Sequence, residues 1–135
     1  MAVGRTAEDG DHRMKKLIIQ GTLPSLNEII RAAKSHPQAY AKMKRQHTMN
    51  IALNARHQIR KPVHPPVELI FAWYCKDKRT DPDNLTAARK FLIDGLVESG
   101  VLEDDSWGEI AGFRDTWTVD KLNPRIEVEI KEATL

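Results

Sequence analysis

The stretch from Val67 to Gly100 reads VELIFAWYC-KDKRT-DPDNLTAARKFLIDGLVESG, and its three parts decide the fold. Val67 to Cys75 is a nearly continuous apolar run rich in Val, Ile, Phe, Trp and Tyr, which predicts a central strand buried on both faces. Lys76-Asp77-Lys78-Arg79 ends that strand in solvent. Asp83 then precedes Leu85, Ala88, Leu92, Ile93 and Leu96, which recur at helical spacing until Gly100. The pattern predicts one amphipathic helix with Asp83 as its N-cap and Gly100 as its stop.

Working outward, Leu17 to Gln20 is a strand candidate in an ordered run that opens at Met14 and closes at Gly21. Ser25-Leu26-Asn27-Glu28 has the spacing of a capping box, so a helix is expected there with Leu26, Ile29, Ile30 and Ala33 on its apolar face. A longer helix is expected from about Gln38 to Arg60, with Tyr40, Met43, His47, Ile51, Ala55 and Ile59 near one side. Three prolines between Lys61 and Pro66 separate it from the Val67 strand. Two strands finish the chain: Trp107 to Thr118, and Arg125 to Lys131, in which Ile126, Val128 and Ile130 alternate with charged residues. The order is that of an α+β fold, a small mixed β-sheet flanked by helices. Residues 14–135 read as one domain, and residues 1–13 as a disordered N-terminal extension.

Composition narrows the function. The 135 residues hold no apolar run long enough to cross a bilayer and no signal-peptide centre, so the reading is a soluble, cytoplasmic protein without a membrane partner. Cys75 stands alone, which excludes an internal disulfide and a cysteine-based structural zinc site, and no activating partner marks it as a nucleophile. Net charge is only +2, but Met1 to Thr80 carries 15 Lys and Arg against 6 Asp and Glu, while the remainder carries 6 against 13. From Glu28 to Glu68 no acidic residue intervenes, whereas Arg31, Lys34, Lys42, Lys44, Arg45, Arg56, Arg60 and Lys61 are all cationic. Such a dipole points to a polyanionic partner. The four histidines from His36 to His64 match no metal-ligand spacing and join this basic surface. Trp73, Trp107 and Trp117 read as core residues.

Asp81-Pro82-Asp83-Asn84 is the sharpest local feature. Carboxylates at i and i+2 project to one side of an extended backbone and can share a hard cation. The same residues also make a plain turn and helix cap, and both readings stand. An EF-hand is excluded, since Leu85 and Thr86 occupy the positions that need an oxygen ligand and a glycine. Glu103-Asp104-Asp105 is a second acidic group, which alone reads as a solvated loop. A helix from Asn84 to Ser99 carries the chain roughly 24 Å away from Asp81, so the chain must run back along the sheet before Asp105 can join the first pair. Lys90 lies two turns past Asp83 and leans toward it, or else pairs with Asp94 at i+4.

The run Lys78-Arg79-Thr80-Asp81-Pro82-Asp83-Asn84-Leu85, followed by Asp94-Gly95-Leu96 and by Gly100-Val101-Leu102-Glu103-Asp104-Asp105, resembles the RusA family of Holliday junction resolvases, small endonucleases often carried by prophages. Pro24-Ser25-Leu26-Asn27 is similar to a Pro-Ser-Asn segment of that family, and the resemblance spans about residues 17–130. It implies that Asp81, Asp83 and Asp105 are catalytic carboxylates holding Mg2+, with Mn2+ able to substitute. It implies that Lys90 is the catalytic lysine, if Thr86 to Ala88 are about three residues added to the family's helix. It further implies a homodimer acting on a four-way DNA junction in recombination and repair, cutting one strand per subunit. On that reading Arg31, Lys34, Lys42, Lys44, Arg45, Arg56, Lys78 and Arg79 hold the DNA backbone. The alternatives are a non-catalytic DNA-binding protein that retains the fold, or a merely solvated cationic helix on a protein-binding domain.

Overall fold

The computed structural model describes residues 14–133; the expected N-terminal extension lies outside the described residues. Four strands, β1 (Met14–Gln20), β2 (Val67–Cys75), β3 (Ile110–Val119) and β4 (Arg125–Glu132), form one mixed sheet in the order β1-β4-β2-β3. β4 runs antiparallel to both β1 and β2, and β3 runs parallel to β2. Helices α1 (Leu26–Ser35) and α2 (Pro37–Gln58) connect β1 to β2, and the crossover from β2 to β3 carries α3 (Pro82–Leu85), a 3-10 turn (Thr86–Ala88) and α4 (Arg89–Ser99). This is the expected α+β architecture.

One face of the sheet packs on the helices. Leu17, Ile19, Leu69, Phe71, Trp73, Ile126, Val128 and Ile130 point there and join Ile51, Ala55, Phe91, Leu92 and Leu96 in one buried cluster. Burying a large apolar side chain is worth about 1.5–3 kcal/mol, so this cluster dominates stability. The expectation that β2 is buried on both faces is corrected here. Its odd positions from Val67 to Trp73 are buried, while Glu68, Ile70, Ala72 and Tyr74 are half-exposed on a face that no helix covers. On that face charge pairs run between strands, with Lys16 Nζ 2.7 Å from Glu127 and Arg125 Nε 2.7 Å from the same carboxylate. The Arg125 guanidinium also lies 3.8 Å from the centre of the Tyr74 ring.

The capping box at α1 forms as the spacing predicts: the Glu28 amide donates to Ser25 Oγ at 3.3 Å and the Ser25 amide to the Glu28 carboxylate at 3.0 Å. The apolar face of α1 is less buried than expected, because Ile29 packs against the core while Leu26 and Ile30 stay exposed. α2 buries Ile51, Ala52 and Ala55, against which α4 rests. Gly95 permits that contact: a Cβ there would stand 2.6 Å from Ile51 Cβ. Gly100 ends α4 with a φ of 86°, a left-handed conformation that favours glycine.

Three further expectations are corrected. Asp83 is not the N-cap; Asp81 takes that position, and Pro82, which needs no amide partner, takes N1. The helix after it is not continuous, for Thr86 to Ala88 tighten into the 3-10 turn. Trp107 lies before β3, not in it, and is 98% exposed, while Trp117 is half out of the core at 44%. The Ser106 carbonyl accepts the amides of Glu109 and Ile110 there, and that turn holds Trp107 off the sheet.

Candidate active site

The paired carboxylates sit where β2 hands over to the crossover. Cys75 ends the strand, residues 76–80 swing outward, and the Arg79 amide donates to Asp77 at 2.9 Å to shape the bend. The Asp81 carbonyl accepts from the amides of Asn84 at 3.0 Å and Leu85 at 3.1 Å, closing a short turn. Backbone groups make this turn, so the Asp81 carboxylate is spared: it forms no capping bond. Asp81 and Asp83 are both exposed, and neither has an ion-pair partner among the described residues. Between this turn and the end of β3 lies a hollow lined by Cys75, Asp81, Pro82, Leu85, Trp117 and Val119. Burial in its wall pushes the Cys75 thiol above its ordinary range, so the thiol stays protonated and unreactive near neutral pH.

Asn84 adds an observation that bears on a cation. Its side-chain oxygen is buried and lacks a hydrogen-bond partner. Two carboxylates and an amide oxygen on four consecutive residues are hard donors, the kind that magnesium accepts while keeping several waters. The donor set of this turn fits that ion.

Asp105 is placed elsewhere. Its loop is tied to the beginning of β2, where the Val63 amide donates to the Val101 carbonyl at 3.1 Å and the Val67 amide to the Glu109 carbonyl at 2.8 Å. Asp81 follows the end of β2, where the Asp120 amide donates to the Cys75 carbonyl at 2.7 Å. Nine residues of strand, about 26 Å at 3.3 Å per step, separate those two ends. Among the described residues no three of His, Cys, Asp and Glu stand close enough together to hold a metal ion. Asp81 and Asp83 therefore share the short turn after β2, whereas Asp105 lies in a second hollow, with Ser106, Trp107, Ile110 and Phe113.

Lys90, in the first turn of α4, holds Asp94 at 3.2 Å while its side chain stays 57% exposed. Lys44 reaches the same carboxylate from α2 at 3.7 Å. Of the cations expected on DNA, Arg31, Lys34, Lys42, Arg45 and Lys78 are exposed and lack ion pairs among the described residues. Arg56 donates to the Glu98 carbonyl at 3.2 Å, and Arg79 lies 3.8 Å from Asp77.

Sequence reasoning missed Arg89 and Asp115. Asp115, on β3, accepts the Trp73 indole N–H at 2.8 Å and pairs with Arg89 at 3.4 Å, while the Arg89 guanidinium lies 5.1 Å from the Phe113 ring centre. No local spacing signals this contact, which depends on β3 lying beside β2.

The fold is thus a mixed sheet with one helical layer, an unpaired carboxylate turn and exposed cations. The endodeoxyribonuclease RusA family model matches residues 21–131, most of the chain, and the chain belongs to that family of DNA-cleaving enzymes. No curated protein matches the chain significantly. No described helix is long and apolar enough to cross a membrane.

Proposed function

We propose that the protein is a magnesium-dependent endonuclease that resolves four-way DNA junctions as a homodimer, nicking two opposed strands. The family match carries this reading, and it is supported by the turn at Asp81, Asp83 and Asn84, whose oxygens are left without protein partners.

Asp81, Asp83 and Asn84 would hold the metal; Asp105, at the other end of β2 within one chain, would join them only from the other subunit of the homodimer. A bound divalent ion supplies Lewis acidity to the scissile phosphate and lowers the pKa of a coordinated water. The protein's own groups do the rest. Pro82 restrains the turn so that both carboxylates stay on one segment. Lys90, held only in a partly exposed pair, can leave Asp94 at little cost and place its ammonium beside a phosphate. Arg31, Lys34, Lys42, Arg45 and Lys78 offset the repulsion between DNA and the acidic turn, with Lys44, Arg56 and Arg79 adding to that field. These contacts fix position and carry no sequence information.

The test is cleavage of an end-labelled synthetic four-way junction and a matched linear duplex, each with magnesium and with EDTA. Paired symmetric nicks in the junction alone, lost with EDTA, are the expected result. Tight junction binding without nicks in either magnesium or manganese would replace this reading with a DNA-binding protein that has lost catalysis.

A further inference from the structure

Asp94 stands between two ammonium groups that come from different helices. Lys90, one turn before it on α4, lies 3.2 Å from Oδ1, and Lys44, on α2, lies 3.7 Å from Oδ2. The Asp94 side chain is only 17% exposed, and its Oδ2 is buried without a hydrogen-bond partner among the described residues. At 3.7 Å the Lys44 contact is too long for a hydrogen bond, so Lys44 waits beside an oxygen that no other group satisfies. The close approach of α4 to α2 at Gly95 and Ile51, next in sequence to Asp94, fixes this carboxylate against the α2 side chains.

We propose that Lys44 is a positioning residue that takes over Asp94 when Lys90 leaves it for the phosphate of the DNA. The inference goes beyond the nuclease reading and rests on the place that reading gives Lys90. Moving the Lys90 ammonium toward a phosphate breaks its pair with Asp94. A carboxylate as buried as this one is costly to leave bare, because removing one partner of a buried pair strands the other charge. Lys44 removes that cost. A shortening of about 1 Å brings its ammonium to the distance of a charge-assisted hydrogen bond with Oδ2, the oxygen that lacks one. Lys90, more than half exposed, can then swing outward while α2 and α4 stay where they are. Lys44 acts through Asp94 and Lys90 and touches no phosphate, in contrast to Lys42 and Arg45 beside it, which are exposed and have no ion pair among the described residues. Its charge still adds to the positive field, but the expectation that Lys44 holds the DNA backbone is replaced by this role on Asp94.

Single-turnover cleavage of a four-way junction in magnesium, with protein in excess, reads the hand-over. Lys44→Met should slow cleavage about fivefold, the size that a partly exposed pair allows, and Lys44→Arg should recover most of that loss. In an Asp94→Asn chain no carboxylate holds Lys90, so adding Lys44→Met should cause no further loss. Equal slowing by Lys44→Met in both backgrounds, or no slowing in the wild-type background, would overturn the proposal. Should Asp94→Asn fail to fold by circular dichroism, Lys44→Arg decides: an arginine variant as slow as the methionine one refutes the hand-over. A second arm needs no cleavage. In EDTA, Lys90→Met should make the log-log salt slope of junction binding shallower by about 1, while Lys44→Met should leave the slope near the wild-type value. A slope shallower by about 1 in Lys44→Met puts Lys44 on a phosphate and refutes the proposal, as does an unchanged slope in Lys90→Met. If the wild type binds the junction but cuts nothing, the nuclease reading fails, and the two slopes still decide which lysine meets the DNA.

Discussion

Gly95→Ala should destabilise the protein although alanine is the better helix former. Glycine inside a helix costs about 0.5–1 kcal/mol relative to alanine, so propensity alone predicts a gain. Packing opposes it. The new Cβ would stand 2.6 Å from Ile51 Cβ, closer still to Ile51 Cγ2, and 3.2 Å from the Thr48 carbonyl oxygen. Carbon atoms prefer about 3.5–4.0 Å, so the overlap is about 1 Å. Ile51 is fully buried and has nowhere to turn, and its own Cβ is part of the clash, so no rotamer change removes it. α2 and α4 must therefore separate. Overpacking of this kind costs about 1–3 kcal/mol, and with backbone involved the upper end applies, leaving a net loss of about 2 kcal/mol. For a chain of this size that is a fall in Tm of about 8 °C. Thermal unfolding followed by circular dichroism measures it directly. An unchanged or raised Tm would refute the claim that Gly95 is there to let the two helices touch.

Asp115→Ala should cost about 2–3 kcal/mol in urea unfolding, because it removes the acceptor of the buried Trp73 indole and strands the Arg89 guanidinium. His47 packs on Phe91 and its burial lowers its pKa below 6.5, so the unfolded chain takes up its proton first. Stability from this group is full above pH 6.5 and is lost as pH falls below it toward the folded value; His47→Gln should flatten that part of the stability profile. Replacing Lys42 and Arg45 by glutamate should weaken junction binding at every sequence. If both contact phosphates, the log-log salt slope should become shallower by about 2, whereas an unchanged slope would remove them from the DNA surface.

What was legible in the sequence was local. Ser25 and Glu28 specify their capping box within one turn, Ile126, Val128 and Ile130 alternate openly, and Lys90 lies four residues before the Asp94 it pairs with. β2 was harder, since Ile70, Ala72 and Tyr74 on its uncovered face are apolar enough to hide the alternation. Trp107 misleads for a similar reason: an aromatic side chain invites a place in the core, yet a backbone turn at Ser106 lifts it away. The Asp81 pair stood out locally as either a cap or a metal site, but nothing in its spacing tells where Asp105 lies. That depends on which edge of β2 receives β3, a choice made by long-range packing. The Arg89–Asp115 contact escapes sequence reasoning on the same ground.

If the carboxylates at the end of β2 hold the ion that cleaves DNA, Asp83→Asn removes cleavage without touching the fold. Asp83 is exposed and makes no side-chain bond that the fold needs, so the variant should keep the wild-type Tm. In magnesium it should bind a four-way junction at least as tightly as wild type and leave both strands intact. A variant that still nicks the junction at the wild-type rate would remove Asp83 from the active site.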